Sequence, residues 1–159
     1  MTEAAIEMQP PSQEERTMAV LAHVLQLFGW WVAPLVIFLI KRESRFTSFH
    51  ALQALLLQIA SVILMILMVI FVVLWFAISF STFALHPPAK GGPPPVAFFL
   101  VFPLVWLVFM VYWSGMLVIA IVFGIKAGQG EWAEYPLLGR LARKLLKIGP
   151  GGAFLPSTQ

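Results

Sequence analysis

Three long stretches of the chain lack any ionised side chain: residues 18–40, 54–85 and 96–125, of 23, 32 and 30 residues. At about 1.5 Å per helical residue, each exceeds the roughly 30 Å of a bilayer's hydrocarbon core. They predict three membrane spans at about 18–40, 50–85 and 96–125, forming a membrane domain over 18–126. A tail (1–17) precedes it, and a cytoplasmic segment (127–159) follows. Ser12 with Glu15 three residues later reads as a capping box that starts the first helix. Pro34 should kink that helix by freeing a backbone carbonyl near Trp30.

Residues 41–48 (KRESRFTS) form a polar loop in which Thr47 or Ser48 can cap the next helix. The second stretch is about 48 Å long as one helix and overshoots the bilayer. It contains no turn signal, so it reads as one long helix, tilted or projecting. Its first turns (His50, Gln53, Gln58) would sit at the interface. Residues 86–95 (HPPAKGGPPP) are a proline- and glycine-rich break. Lys126, Trp132 and Tyr135 mark the exit of the third span as an interfacial belt.

Past Pro136 the period is helical again. Leu137, Leu138, Leu141, Leu145 and Ile148 share one face, and Arg140, Arg143, Lys144 and Lys147 share the opposite one. This predicts a basic amphipathic helix suited to anionic lipid headgroups. The fold class is therefore all-α and integral to a membrane, with three transmembrane helices and a C-terminal interfacial helix.

Composition sharpens this picture. The chain is 60% hydrophobic and 11% charged. A soluble fold of this length could not hide so much apolar surface. There is no cysteine, hence no disulfide, thiolate ligand or thiol nucleophile. The acidic N-terminus is not a signal peptide. With three spans, Lys41, Arg42, Arg45, Lys126, Arg140, Arg143, Lys144 and Lys147 fall on one side, and Arg16 and Lys90 on the other. The positive-inside rule then puts the C-terminus in the cytoplasm and the N-terminus outside a cytoplasmic membrane. A re-entrant first span would move the N-terminus inside.

No Asp, Glu, Lys or Arg lies within the three stretches, which argues against proton pumps, voltage sensors and intramembrane acid–base catalysis. The chain is expected not to be an enzyme and to need no cofactor. His50 and Gln53 share a helix face near Arg45; with Gln58 they form a candidate interaction cluster, or simply a polar start to a long helix. Ala120, Gly124 and Gly128 form a small-residue line for close helix packing. No metal is assigned. His23 and His50 are the fallback ligands, and the bland role for His23 is helix packing. Nucleic acid is excluded by the lack of interleaved aromatics in the basic segment.

Residues 49–58 (FHALQALLLQ) resemble the FHA-x-Q-AL signature of small prokaryotic Tic-twenty-like membrane proteins, relatives of an inner-envelope component of the chloroplast import translocon. Ala22-His23, Pro34-Leu35 and Phe46 before the signature, and Ala127, Gly130 and Tyr135-Pro136 after it, fit the same layout. The resemblance implies a bundle of three or four membrane helices without catalytic groups, and it raises His50 and Gln53 as an interaction site. The chain departs from the import component in showing three spans where four are expected there.

Three functions follow as expectations. The first is an accessory or structural subunit, binding lipid and either a membrane-protein partner or a second copy. The second is a translocation or transport component with a hydrated cavity lined by Gln26, Gln53, Gln58, Ser61 and Ser114. The third is a pigment- or haem-binding subunit using His23 or His50.

Overall fold

The computed structural model describes residues 10–86 and 96–149 (side chains of 96–98 excepted). The expected tail disorder before Pro10, the 86–95 break after His86 and the disordered C-terminal end lie outside them. Among the described residues the chain is all-helical: α1 (Gln13–Gly29), α2 (Val32–Ile40), α3 (Arg45–Leu85), α4 (Val96–Gly128) and α5 (Leu138–Leu146).

Among the described residues two helices, α3 and α4, are long and apolar enough to cross a membrane, not the expected three. The expected first span is broken at Trp30, whose backbone takes a positive φ of 48°. Gly29 permits the fold-back, because a Cβ there would come within 2.9 Å of the Ala33 Cβ. Pro34 then occupies the first turn of α2, where its missing N–H costs nothing. What reads as a kink in sequence is therefore a complete break. The two pieces pack against each other as an antiparallel hairpin. Its mouth is bridged by an ion pair between Lys41 after α2 and Glu14 at the start of α1. Both ends of the segment thus lie together, which a crossing helix does not allow.

The capping box at Ser12 forms as expected, with Ser12 N–H donating to Glu15 Oε2 at 2.7 Å and Glu15 N–H to Ser12 Oγ at 3.3 Å. The cap of α3 is neither Thr47 nor Ser48. Ser44 Oγ accepts from Thr47 N–H at 3.1 Å, so α3 starts at Arg45, a turn and a half before the expected position.

The helices divide into two compact units, Met1–Ala60 with Met116–Gln159, and Ser61–Gly115. In the first, Ala22, Ile37 and Ala51 form the hairpin's contact with α3, and Phe49, Leu52 and Ala142 seat α5. Gly124 and Gly128 of α4 face α1: Cβ atoms there would lie 3.9 Å from the His23 Cβ and 3.3 Å from Val20 Cγ2. The buried Ala120 continues the line. In the second unit most side chains of α3 and α4 are exposed and apolar. Phe76 and Phe102 meet with ring centroids 5.3 Å apart. Ser81 and Thr82 satisfy their hydroxyls on their own helix, donating to the Ala77 and Ile78 carbonyls. Hydrocarbon tolerates such self-paired hydroxyls because nothing polar is left over.

Candidate functional site

The site begins where α4 ends. Gly130 at φ +81° closes a Schellman turn: its N–H bonds to the Ala127 carbonyl and Glu131 N–H to the Lys126 carbonyl, each at 3.0 Å. This turn sends residues 131–135 back along the first unit as an irregular strap, which ends in a turn at 136–137. Gln53 holds the strap as a neighbouring strand would. Its Nε2 donates to the Ala133 carbonyl at 3.1 Å, and its Oε1 accepts from Tyr135 N–H at 2.7 Å. A buried backbone N–H and a part-buried carbonyl, both outside any helix, are thereby paired.

Held in this way, Tyr135 points inward and is 3% exposed, so it is a core residue and not part of an interfacial belt. Its hydroxyl lies 2.8 Å from His23 Nδ1. His23 Nε2 lies 3.0 Å from His50 Nδ1, and His50 Nε2 lies 3.1 Å from the Glu131 carbonyl oxygen. Gln26 Nε2 completes the row at 3.4 Å from the Tyr135 oxygen. Proton placement in this row has one solution with neutral rings. A carbonyl only accepts, so His50 carries its proton on Nε2 and presents a bare Nδ1. His23 must then donate from Nε2, leaving its own Nδ1 to accept from the Tyr135 hydroxyl. Every bond runs the same way, from Gln26 through Tyr135, His23 and His50 to Glu131. Burial pushes the Tyr135 phenol up from its ordinary value, against the pull of the Gln26 N–H, so it remains a donor.

All four imidazole nitrogens are spent inside this row. Neither His23 nor His50 offers a free nitrogen to haem, pigment or a metal ion, which removes their ligand role as they are placed here. Among the described residues no group of three or more His, Cys, Asp or Glu is arranged to hold a metal ion. Gln58 is also committed: its Nε2 donates at 3.0 Å to the Gln26 carbonyl, near the end of α1. The break at Trp30 orphans carbonyls in that last turn, and Gln58 takes up one of them. Gln53 and Gln58 thus hold backbone and do not line a channel, and Ser114 is exposed.

The remaining predicted residues separate. Arg45 is exposed at the start of α3, whereas His50 is fully buried. Arg143 leaves the expected cationic face and turns inward. It pairs with Glu134, bonds the Gly149 carbonyl and stands 5.0 Å over the Phe49 ring. Arg140, Lys144 and Lys147 remain exposed.

At the hairpin's mouth Glu14, Glu15, Ile40, Lys41, Glu43 and Ser44 line an open cleft of about 330 Å³. Burial pushes the Glu15 carboxyl up. Hydrogen bonds from Ser44 and from the Ser12 backbone and hydroxyl, with the Lys41 charge, outweigh it and hold the group below its usual value.

The sequence did not reveal the His23–His50 pair or the inward Tyr135, and Gln26, expected to line a hydrated cavity, joins their row instead. One signal was present: His23-Val-Leu-Gln26 and His50-Ala-Leu-Gln53 repeat H-x-L-Q at the same i, i+3 spacing. Two polar pairs on two otherwise apolar helix faces need partners, and each other is the nearest source.

A family model described as the magnetosome magnetite crystal formation protein family, MamF/MmsF, matches residues 14–142. No curated protein and no solved structure matches the chain. The match corrects the Tic-twenty-like resemblance: the FHALQ element at residues 49–53 belongs to a different family's helix, and the translocation role drawn from it falls with it.

Proposed function

The chain belongs to the magnetosome magnetite crystal formation family, and from that premise we propose that it is a non-enzymatic protein of the magnetosome membrane. It acts as a structural or accessory subunit, influencing crystal formation through packing and lipid contact. The match over residues 14–142 carries this proposal. The site supports it, because the buried His23, His50, Gln53, Gln58 and Tyr135 are consumed in holding helices and strap together. Exposed aromatic and aliphatic side chains along α3 and α4 supply area for lipid and for a membrane partner.

Within this proposal the α1–α2 hairpin is re-entrant. Its charge-free arm from residue 18 to 29 is about 18 Å long, roughly half the depth of the hydrocarbon core. Arg16 then joins the side of the other basic groups. Of ten Lys and Arg, nine lie there, and Lys90 alone faces the opposite compartment. That sharpens the positive-inside bias and puts both the N-terminal end of α1 and the C-terminal segment in the cytoplasm.

The experiment is deletion and complementation in a magnetosome-forming bacterium. The tagged chain should co-purify with magnetosome membranes, and its loss should alter crystal size or number under electron microscopy. Unchanged crystals together with a chain spread evenly through the bulk membrane would overturn the assignment.

A further inference from the structure

Two apolar features stand out among those the first unit leaves exposed. One is the hairpin tip, where Phe28 is 82% exposed and Trp30 51%. The other is one face of α5. Advancing 100° per residue, α5 has three faces. Gly139, Ala142 and Leu146 turn toward α3, with Arg143 beside them. Leu137, Leu141 and Leu145 form an exposed line, with Leu145 58% accessible. Arg140, Lys144 and Lys147 flank it, and among the described residues no carboxylate pairs with them. Exposed leucines edged by unpaired cations match a helix lying in the headgroup region of an anionic leaflet, buried about 5–10 Å.

Both features enter from the same side. The α5 helix packs on Phe49 and Leu52 in the first two turns of α3. The hairpin mouth sits at that end too, through Glu15 and Ser44, which cap α1 and α3 and bond each other at 2.7 Å. The segment between α3 and α4, residues 86–95, carries Lys90 as its one Lys or Arg.

We propose that this face is a curvature-sensitive membrane surface: α5 and the hairpin wedge into the cytoplasmic leaflet only, so the chain favours and stabilises a bilayer that is convex on its charged side. The proposal rests on the membrane topology given above. Two upright half-depth helices and one nine-residue helix lying flat occupy roughly 300 Å² of one leaflet. A bilayer with a core of about 30 Å, closed into a vesicle of about 400 Å diameter, has an outer interface roughly 40% larger than its inner one; at about 2000 Å the excess falls to roughly 6%. Area added on one side fits the first far better than the second.

The test uses the full-length chain reconstituted into phosphatidylethanolamine–phosphatidylglycerol vesicles of these two diameters. Trypsin added outside cuts at Arg140, Lys144 and Lys147 only in molecules whose charged face is outward. The outward-to-inward ratio should reach about fourfold in the small vesicles and approach unity in the large ones. Leu141→Gln with Leu145→Gln, both at exposed positions, should lower the small-vesicle ratio by about half while size exclusion shows an intact fold. An equal ratio at both diameters overturns the proposal, as does full bias in the double variant. If the chain floats with the vesicles but shows no bias, only the curvature proposal is lost. A chain that fails to float at all removes the membrane topology as well.

Discussion

Replacing Tyr135 with Phe is the sharpest test of the hydrogen-bonded row. The substitution keeps the ring, its edge contact with Phe123 at 4.3 Å between centroids, and the volume; it deletes one oxygen. Two buried groups lose their partner: His23 Nδ1, bonded at 2.8 Å, and the Gln26 amide, bonded at 3.4 Å. Gln26 Oε1 already lacks a hydrogen-bond partner, so its side chain becomes wholly unpaired. The longer bond is worth little at that distance. An orphaned buried acceptor costs about 1–3 kcal/mol, although bonds at membrane depth average nearer ~0.6 kcal/mol. We expect a loss of about 2 kcal/mol, mostly from His23. A tautomer flip cannot recover it. Moving the His23 proton to Nδ1 would set two bare nitrogens 3.0 Å apart, unless His50 also flipped and abandoned Glu131. Reversible unfolding in mixed detergent–SDS micelles measures the difference. A Tyr135→Phe variant within about 0.5 kcal/mol of the parent would refute the view that the row is a connected, stabilising unit.

Other expectations follow from single contacts. Gly139→Ala puts a methyl 2.6 Å from the Glu134 Cβ and 2.9 Å from Gln53 Oε1, so it should destabilise by about 2 kcal/mol. Gly115→Ala, with nothing within 4 Å, should be neutral or gain up to about 1 kcal/mol in the same assay. Glu15 has a lowered folded value, so its stabilisation is complete above the ordinary carboxylate value of 4.5 and is lost as pH falls below it. The melting temperature should drop over that acid window, and less steeply in Glu15→Gln. With no native cysteine, Ser12→Cys and Glu43→Cys should both react with an impermeant maleimide only from the cytoplasmic side, and Lys90→Cys only from the other. Opposite labelling of the first two would restore a crossing first helix. Solid-state nitrogen NMR should find both buried histidines as the Nε2–H tautomer.

Much of this architecture could be read from local pattern. The charge-free runs of α3 and α4, the Ser12–Glu15 box and the helical period after Pro136 each depend on residues a few positions apart. The hairpin could not be read that way. Hydropathy reports that residues 18–40 avoid water, and a helix that turns back avoids it as well as one that crosses. Pro34 was visible, but Gly29 decided the outcome through a contact with Ala33 that exists only after folding back. The site was hidden for a related reason. Its partners are separated by 27, 81 and 112 residues, and no helical period links such positions. Arg143 was misplaced by the wheel because Glu134 and the Gly149 carbonyl outweigh amphipathic symmetry for that one side chain.

If the segment joining α3 to α4 faces the opposite compartment, it would give that compartment almost nothing to work with. On the topology proposed above, a growing mineral would meet His86, Lys90 and a string of prolines and glycines, without one carboxylate to hold iron. On that topology the chain would make a poor template for a crystal lattice. Whatever control it exerts over magnetite would reach the mineral through the container, by setting the size and tension of the membrane in which the crystal grows.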